Sequence, residues 1–210
     1  MTSAPKTIAI AEDDPGVRQF LRYILTDLGY EFAGEAKNGS EAITLVKTAK
    51  PNVLIMDFHM PVLNGLEATK KIVVENTTAV IILTADSDPA VARNAMDFGA
   101  CGYMPKPVEV AQITPMIESA WHRFQTVRSL HAEMQVLTDN LETRKLVEKA
   151  KGILMEQQGF SEQEAHRCLQ KMSQDQGIPI KDVCRSIVQV KMVLGNKGKN
   201  LSKNFSRNNL

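Results

Sequence analysis

The chain of 210 residues carries only three cysteines, Cys101, Cys168 and Cys184, and none stands in a CxxC or Cys/His spacing. An odd number of thiols in apolar contexts argues against a disulfide framework or a zinc site and points to reduced thiols packed in cores. Long apolar runs are missing too: none approaches the roughly 18 residues that a bilayer span requires. The opening "MTSAPKTIAIAEDD" has no basic segment ahead of a long apolar one, so no secretory signal is read there. A cytoplasmic protein without a membrane segment is expected. Nor is there an excess of one charge, since 25 Lys and Arg stand against 24 Asp and Glu.

That near-neutrality hides an asymmetry. Residues 1–120 hold ten Lys and Arg against fifteen Asp and Glu, whereas residues 121–210 hold fifteen against nine. The split implies two domains, the basic one a candidate to meet a polyanion. The first half alternates short apolar runs with helical patterns. "TIAIA" (7–11), "VLIMD" (53–57) and "AVIILTA" (79–85) are continuous apolar runs of strand length, as in strands buried on both faces of a parallel sheet. "EFAGEA" (31–36) and "CGYMPK" (101–106) are weaker strand signals. Between the first two lies "PGVRQFLRYILTDLG", a helix with Pro15 at its first position and Gly29 at its end. Repeated alternation predicts a doubly wound α/β domain with a five-stranded parallel sheet, whose ligands bind beyond the carboxyl ends of the strands.

The polar residues collect at that edge. Glu12, Asp13 and Asp14 follow the first strand, Asp57 closes the third, Thr84 lies near the end of the fourth, and Lys106 follows the fifth. Carboxylates gathered there repel one another unless a hard divalent cation sits among them, and oxygen-only ligands suit Mg²⁺. A nucleophilic carboxylate, a metal, a cation and a hydroxyl are the set that phosphoryl chemistry needs.

With these residues in order, the segment resembles the receiver domain of bacterial two-component response regulators over about residues 5–120. The matching elements are the acidic pair Asp13/Asp14, Asp57 in "LIMDFHMPVLNG", Thr84 in "LTA", Tyr103, and Lys106-Pro107. The resemblance implies that Asp57 accepts phosphate from a sensor histidine kinase. It further implies that Asp13, Asp14, Asp57 and the backbone carbonyl of His59 hold Mg²⁺. Thr84 and Tyr103 would be the switch pair, Lys106 would contact the phosphoryl group, and Lys106-Pro107 would be cis. A regulator rather than an enzyme is expected.

No glycine occurs from Ile113 to Lys151, and the stretch reads as long helix. Val127, Leu130, Met134, Leu137 and Leu141 follow the 3-4 spacing of a coiled-coil seam. Two heptads leave open whether the stripe pairs with a second chain or packs on its own domain. Three helices follow. The first ends at Gly159, the second begins with the capping box Ser161/Glu164, and the third runs from about 180 to Gly195. The second offers Ala165, Cys168, Leu169 and Met172 to a core, and the third offers Val183, Ile187, Val190 and Leu194.

In the first of these helices Leu146, Ala150, Ile153 and Leu154 share one stripe, at about 100° per residue. Gly152 points away from that stripe, among Arg144, Lys145, Lys149, Lys151 and Met155. Glycine in a helix interior costs about 1 kcal/mol relative to alanine, so the bare backbone is read as an opening on a basic face where a phosphate–sugar chain or another helix comes close. The pattern "AKGILMEQQGFSEQEAHRCLQ" resembles the ANTAR domain, the RNA-binding output module of bacterial transcription antiterminators, over about residues 138–195. His166, where the family often has an aromatic residue, and Gln170, where it often has arginine, depart from the pattern.

The expected layout is a receiver over 1–120, a helical connector over 121–140, a three-helix ANTAR domain over 141–195 and a basic tail over 196–210. The candidate RNA-contacting set is Arg144, Lys145, Lys149, Lys151, Gly152, Met155, His166, Arg167, Gln170 and Lys171. The two resemblances together imply antitermination: on phosphorylation the chain forms a homodimer and binds hairpins in a nascent leader RNA. The alternative keeps the receiver and makes the C-terminal half a protein-interaction module, with the regulator sequestered on a sensor protein. DNA binding is not expected, because no segment offers the tight two-helix turn and basic recognition helix it would need.

Overall fold

Every apolar run of the first half becomes a strand. In the computed structural model, which describes residues 6–75, 77–85 and 89–191, these are β1 (Thr7–Ala11), β2 (Glu31–Ala36), β3 (Val53–Asp57), β4 (Ala79–Thr84) and β5 (Gly102–Pro105). All neighbours pair in parallel, in the order β2-β1-β3-β4-β5. Each residue of β3 and β4 is buried, which is why those strands are uninterrupted in apolar character. At the sheet edge β5 alternates buried and exposed residues, and its signal in the sequence is correspondingly weaker.

Helices α1 (Pro15–Asp27), α2 (Gly39–Ala49), α3 (Gly65–Glu75), α4 (Pro89–Asp97) and α5 (Val110–Gln158) follow the strands in turn. One face of the sheet packs Ile10, Ile55 and Ile81 against Leu21, Ile113 and Phe124. The other packs Leu54, Met56 and Ile82 against Val46, Ala68 and Ile72. The sheet is therefore doubly wound. Its strand order reverses at β1, which lies between β2 and β3, so the crevice beyond the ends of β1 and β3 is the topological switch point where such folds bind ligands.

Helix α5 is 49 residues long. Its early apolar positions, Ile113, Ile117, Ala120 and Phe124, are buried against the sheet. The stripe continues through Val127, Leu130, Met134, Leu137 and Leu141, which are all between 41% and 63% exposed. These residues do not pack on their own domain. Two compact units divide the chain between Leu130 and His131.

The second unit comprises the end of α5, α6 (Glu162–Gln176) and α7 (residues 180–191). Ala150, Leu169, Val183 and Cys184 form its core, with Leu146, Leu154, Met172 and Ile187 packed around them. The expected capping box is present: Ser161 accepts from the Glu164 backbone N–H, and Glu164 accepts from that of Ser161. One core expectation needs correction. Val190 is exposed, and Cys184 is buried beside the expected Val183 in its place. Valine and cysteine differ little in bulk, so only the rotation of α7 against α5 and α6 decides which turns inward. Leu194, Gly195 and the basic tail lie outside the described residues.

The loop that follows β3 closes tightly on it. The Gly65 N–H donates to the Phe58 carbonyl at 2.9 Å, and a Cβ at Gly65 would stand 2.2 Å from the Asp57 carbonyl oxygen. Backbone cannot give way there as a flexible side chain would. Gly65→Ala is accordingly expected to lower the stability of the sheet domain by about 1–3 kcal/mol, the usual cost of overpacking, measured by urea unfolding.

Candidate functional site

The sheet delivers its polar residues to one edge because each stands at or just beyond a strand end. Glu12 follows β1, and its backbone N–H donates to Ala36 at the end of β2 (3.1 Å). Asp57 ends β3, and the next residue, Phe58, donates to Leu83 of β4 (2.8 Å). Lys106 follows β5 and donates through its backbone to Thr84 (2.8 Å). The Lys106–Pro107 peptide is cis.

Glu12, Asp13 and Asp57 each offer a carboxylate oxygen within 4.8 Å of the others. Glu12 and Asp57 are only 1% and 5% exposed. The Lys106 ammonium bridges them, 2.7 Å from Glu12 and 3.0 Å from Asp57. Burial raises the pKa of Glu12, and repulsion from Asp57 adds to this against the opposing hydrogen bond from Lys106. Burial pulls Lys106 down, but its hydrogen bonds to Glu12 and Asp57 outweigh that and hold it above its ordinary value. Three carboxylates against one ammonium leave two negative charges. An oxygen-only donor set with that surplus fits a hard divalent cation such as Mg²⁺.

Here the expected acidic pair shifts by one residue. Asp14 does not join the cluster. Its carboxylate accepts from the Val17 N–H at 2.9 Å and caps α1, whereas Glu12 turns into the crevice. Asp14 is committed because a helix start leaves unpaired N–H groups that a nearby Asp satisfies. Thr84 is buried at the end of β4. Tyr103 is 45% exposed on β5, and His59 is exposed with its ring edge-on to Phe58 at 4.7 Å.

One residue escaped the sequence reading. Arg18, on the first turns of α1, is buried, and its guanidinium donates to the carbonyls of Glu12 (2.7 Å) and Asp13 (3.0 Å). It grips the backbone of two cluster residues rather than their carboxylates. The signal was an arginine one turn after the helix cap.

In the second unit the candidate RNA-contacting residues divide between two sides. A cleft of about 520 Å³ between α5 and α6 is lined by Lys151, Glu162, Gln163, His166, Arg167 and Gln170. A groove of about 590 Å³ between α5 and α7 is lined by Lys149, Gly152, Ile153, Glu156, Val188 and Lys191. Arg144, Lys145, Met155 and Lys171 are exposed on α5 and α6. The expected single basic face is thus corrected, and most of all at Lys151. That residue is 8% exposed, its ammonium held by Glu162 at 2.6 Å and Glu148 at 2.9 Å. The same two carboxylates, Glu162 first, raise its pKa. Neighbours in sequence are about 100° apart around a helix, so Lys151 turns towards α6 while Gly152 turns towards α7.

Comparison with known proteins accounts for both units. The response regulator receiver domain matches residues 8–118, and the ANTAR domain matches residues 135–188. The transcriptional regulatory protein PdtaR of Mycobacterium tuberculosis is 36% identical over 187 residues, which is 89% of this chain and 91% of that one. The chemotaxis protein CheY of Thermotoga maritima is 35% identical over 109 residues, 51% of this chain and 91% of that protein. A solved LuxR-family two-component response regulator from Aurantimonas sp. SI85-9A1 superposes with a TM-score of 0.54 at 29% identity, over 57% of this chain and 86% of that one. The chain belongs to the response regulators, with a receiver domain followed by an ANTAR domain. Among the described residues no helix is long and apolar enough to cross a membrane.

The shifted acidic pair is directly testable. Glu12→Gln is expected to weaken Mg²⁺ binding by at least about tenfold, the scale of metal-site perturbations, as measured by titration calorimetry. Asp14→Ala should leave Mg²⁺ affinity unchanged while lowering stability by about 1 kcal/mol, the cost of a lost helix cap.

Proposed function

We propose that this receiver–ANTAR regulator takes a phosphoryl group on Asp57 and in response controls transcription by antitermination, through RNA bound to its C-terminal unit. The observation that carries the reading is Asp57 at the end of β3, clustered with Glu12 and Asp13 and 3.0 Å from Lys106, in one chain with an ANTAR match. A carboxylate oxygen of Asp57 attacks phosphorus in the phosphohistidine of a sensor kinase. The P–N bond breaks, the imidazole leaves, and an acyl phosphate forms on Asp57.

Glu12, Asp13, Asp57 and the His59 carbonyl would hold Mg²⁺, which when bound supplies positive charge to the phosphoryl oxygens. Lys106 exchanges its contact with Asp57 for a phosphoryl oxygen. The Thr84 hydroxyl, at the end of β4, takes a second, and Tyr103 follows it as the other half of the switch. Arg18 keeps the Glu12–Asp13 backbone in place throughout.

Output follows by linkage. The exposed stripe from Val127 to Leu141 pairs with that of a second copy when the receiver is phosphorylated. Two RNA-binding units then act as one bivalent binder of paired hairpins in a leader RNA, at high effective concentration. The ANTAR match favours this over sequestration of a protein-interaction module on a sensor protein.

Acetyl phosphate with Mg²⁺ should add one phosphoryl mass to the wild-type chain and none to Asp57→Asn. Equal labelling of the two would sink the assignment. In sedimentation, beryllofluoride should move the chain from monomer towards dimer at micromolar concentration. Leu130→Glu with Leu137→Glu should abolish that shift, and one unchanged mass for wild type would remove the dimer linkage.

A further inference from the structure

We infer that the C-terminal unit meets RNA along the groove between α5 and α7, across the bare backbone of Gly152, and not through the cleft between α5 and α6. This assignment rests on the RNA reading above and goes beyond it by naming the face.

Gly152 is the first ground. A Cβ built there meets nothing within 4 Å, so no packing inside the unit requires glycine. The residue nonetheless sits in the interior of α5, where glycine costs about 1 kcal/mol relative to alanine. The cost is retained without return in the isolated fold. It is explained if another backbone must approach α5 at this point.

Charge is the second ground, and it separates the two sides. In the α5–α6 cleft Lys151 is held directly by Glu162 of the lining and by Glu148 one turn earlier on α5, which leaves Arg167 as the one lysine or arginine of that lining outside an ion pair among the described residues. A phosphate drawn to Lys151 would have to break two ion pairs and would then face two freed carboxylates. At the α5–α7 groove, Lys149 and Lys191 stand against Glu156 alone. Lys145, four residues before Lys149, adds an exposed cation on the same side of α5. Lys191 pairs with Glu156 across the groove, whereas Lys145 and Lys149 form no ion pair among the described residues. They stand free to neutralise phosphates.

The lining supplies the third ground. Val188, with the largely buried Ile153, adds apolar lining to the groove that the glycine shares. Ribose presents apolar C–H faces between its phosphates, so a sugar–phosphate strand lies across this aliphatic lining with lysines at its charged positions. Contacts of this kind position a strand without reading its sequence. Base reading then falls to groups beyond the groove.

The test uses the full-length chain activated with beryllofluoride and a labelled synthetic RNA of two tandem stem–loops, titrated over a salt series. Gly152→Leu should weaken binding at least tenfold while its melting temperature stays level or rises, because leucine is the better helix former. Lys145→Gln with Lys149→Gln should weaken binding and lower the salt slope by about two units, one for each phosphate contact. Arg167→Gln should leave affinity near that of wild type. The assignment is overturned if Gly152→Leu binds as tightly as wild type, or if Arg167→Gln alone reproduces the loss of the double lysine variant. A wild-type chain that takes phosphate on Asp57 yet binds no RNA would overturn the RNA reading itself, and this face with it.

Discussion

Three carboxylates and one ammonium group share the crevice at the ends of β1, β3 and β5, and this charge imbalance is the constraint on which the receiver depends. Glu12 and Asp57 are nearly inaccessible, and Lys106 lies between them. Charges buried this closely hold only where the backbone carrying them cannot drift. Strands whose residues are buried on both faces provide that rigidity, and Arg18 adds a clasp on the carbonyls of Glu12 and Asp13. The loop after β3 is fixed as well, because Gly65 sits against the Asp57 carbonyl too closely for any side chain. The apolar strands and the acidic edge are thus one design: burial of the first makes the second tolerable.

The C-terminal unit uses charge differently. Lys151 is spent inside the fold, pinning α5 to α6 through Glu162, and Lys181 does the same towards the α5 stretch that carries Asp139 and Glu142. These ion pairs are partly exposed, so each contributes modestly to stability while helping to set how the helices lie. The lysines left over on α5 are those not needed for that task. A basic total for the second half therefore overstates what is open to a polyanion, and the distribution among helix faces decides it.

Much of the fold was legible in one dimension. β3 and β4 were plain because burial on both faces leaves no polar interruption, and the Ser161/Glu164 cap was plain because its chemistry is local. The acidic site was legible to within one residue. Three consecutive acids follow β1, and nothing in their order says which of them caps α1 and which turn into the crevice. Arg18 was missed for a related reason: its partners are backbone carbonyls, which carry no sequence signature. Lys151 was misread because its two carboxylate partners lie one on its own helix and one on α6.

Sequence alone determined the element order, the five strands, the edge to which Asp57, Thr84 and Lys106 would be delivered, and the presence of an unsupported glycine in a basic helix. Each of these follows from periodicity, caps or strand ends, which are properties of neighbouring residues. Tertiary structure alone decided that Glu12 rather than Asp14 completes the carboxylate cluster, that Cys184 rather than Val190 turns inward, and that Lys151 is neutralised while Lys149 is open. Those outcomes depend on the rotation of one element against another, and a rotation of a single residue about a helix moves a side chain by about 100°, enough to exchange a buried partner for solvent.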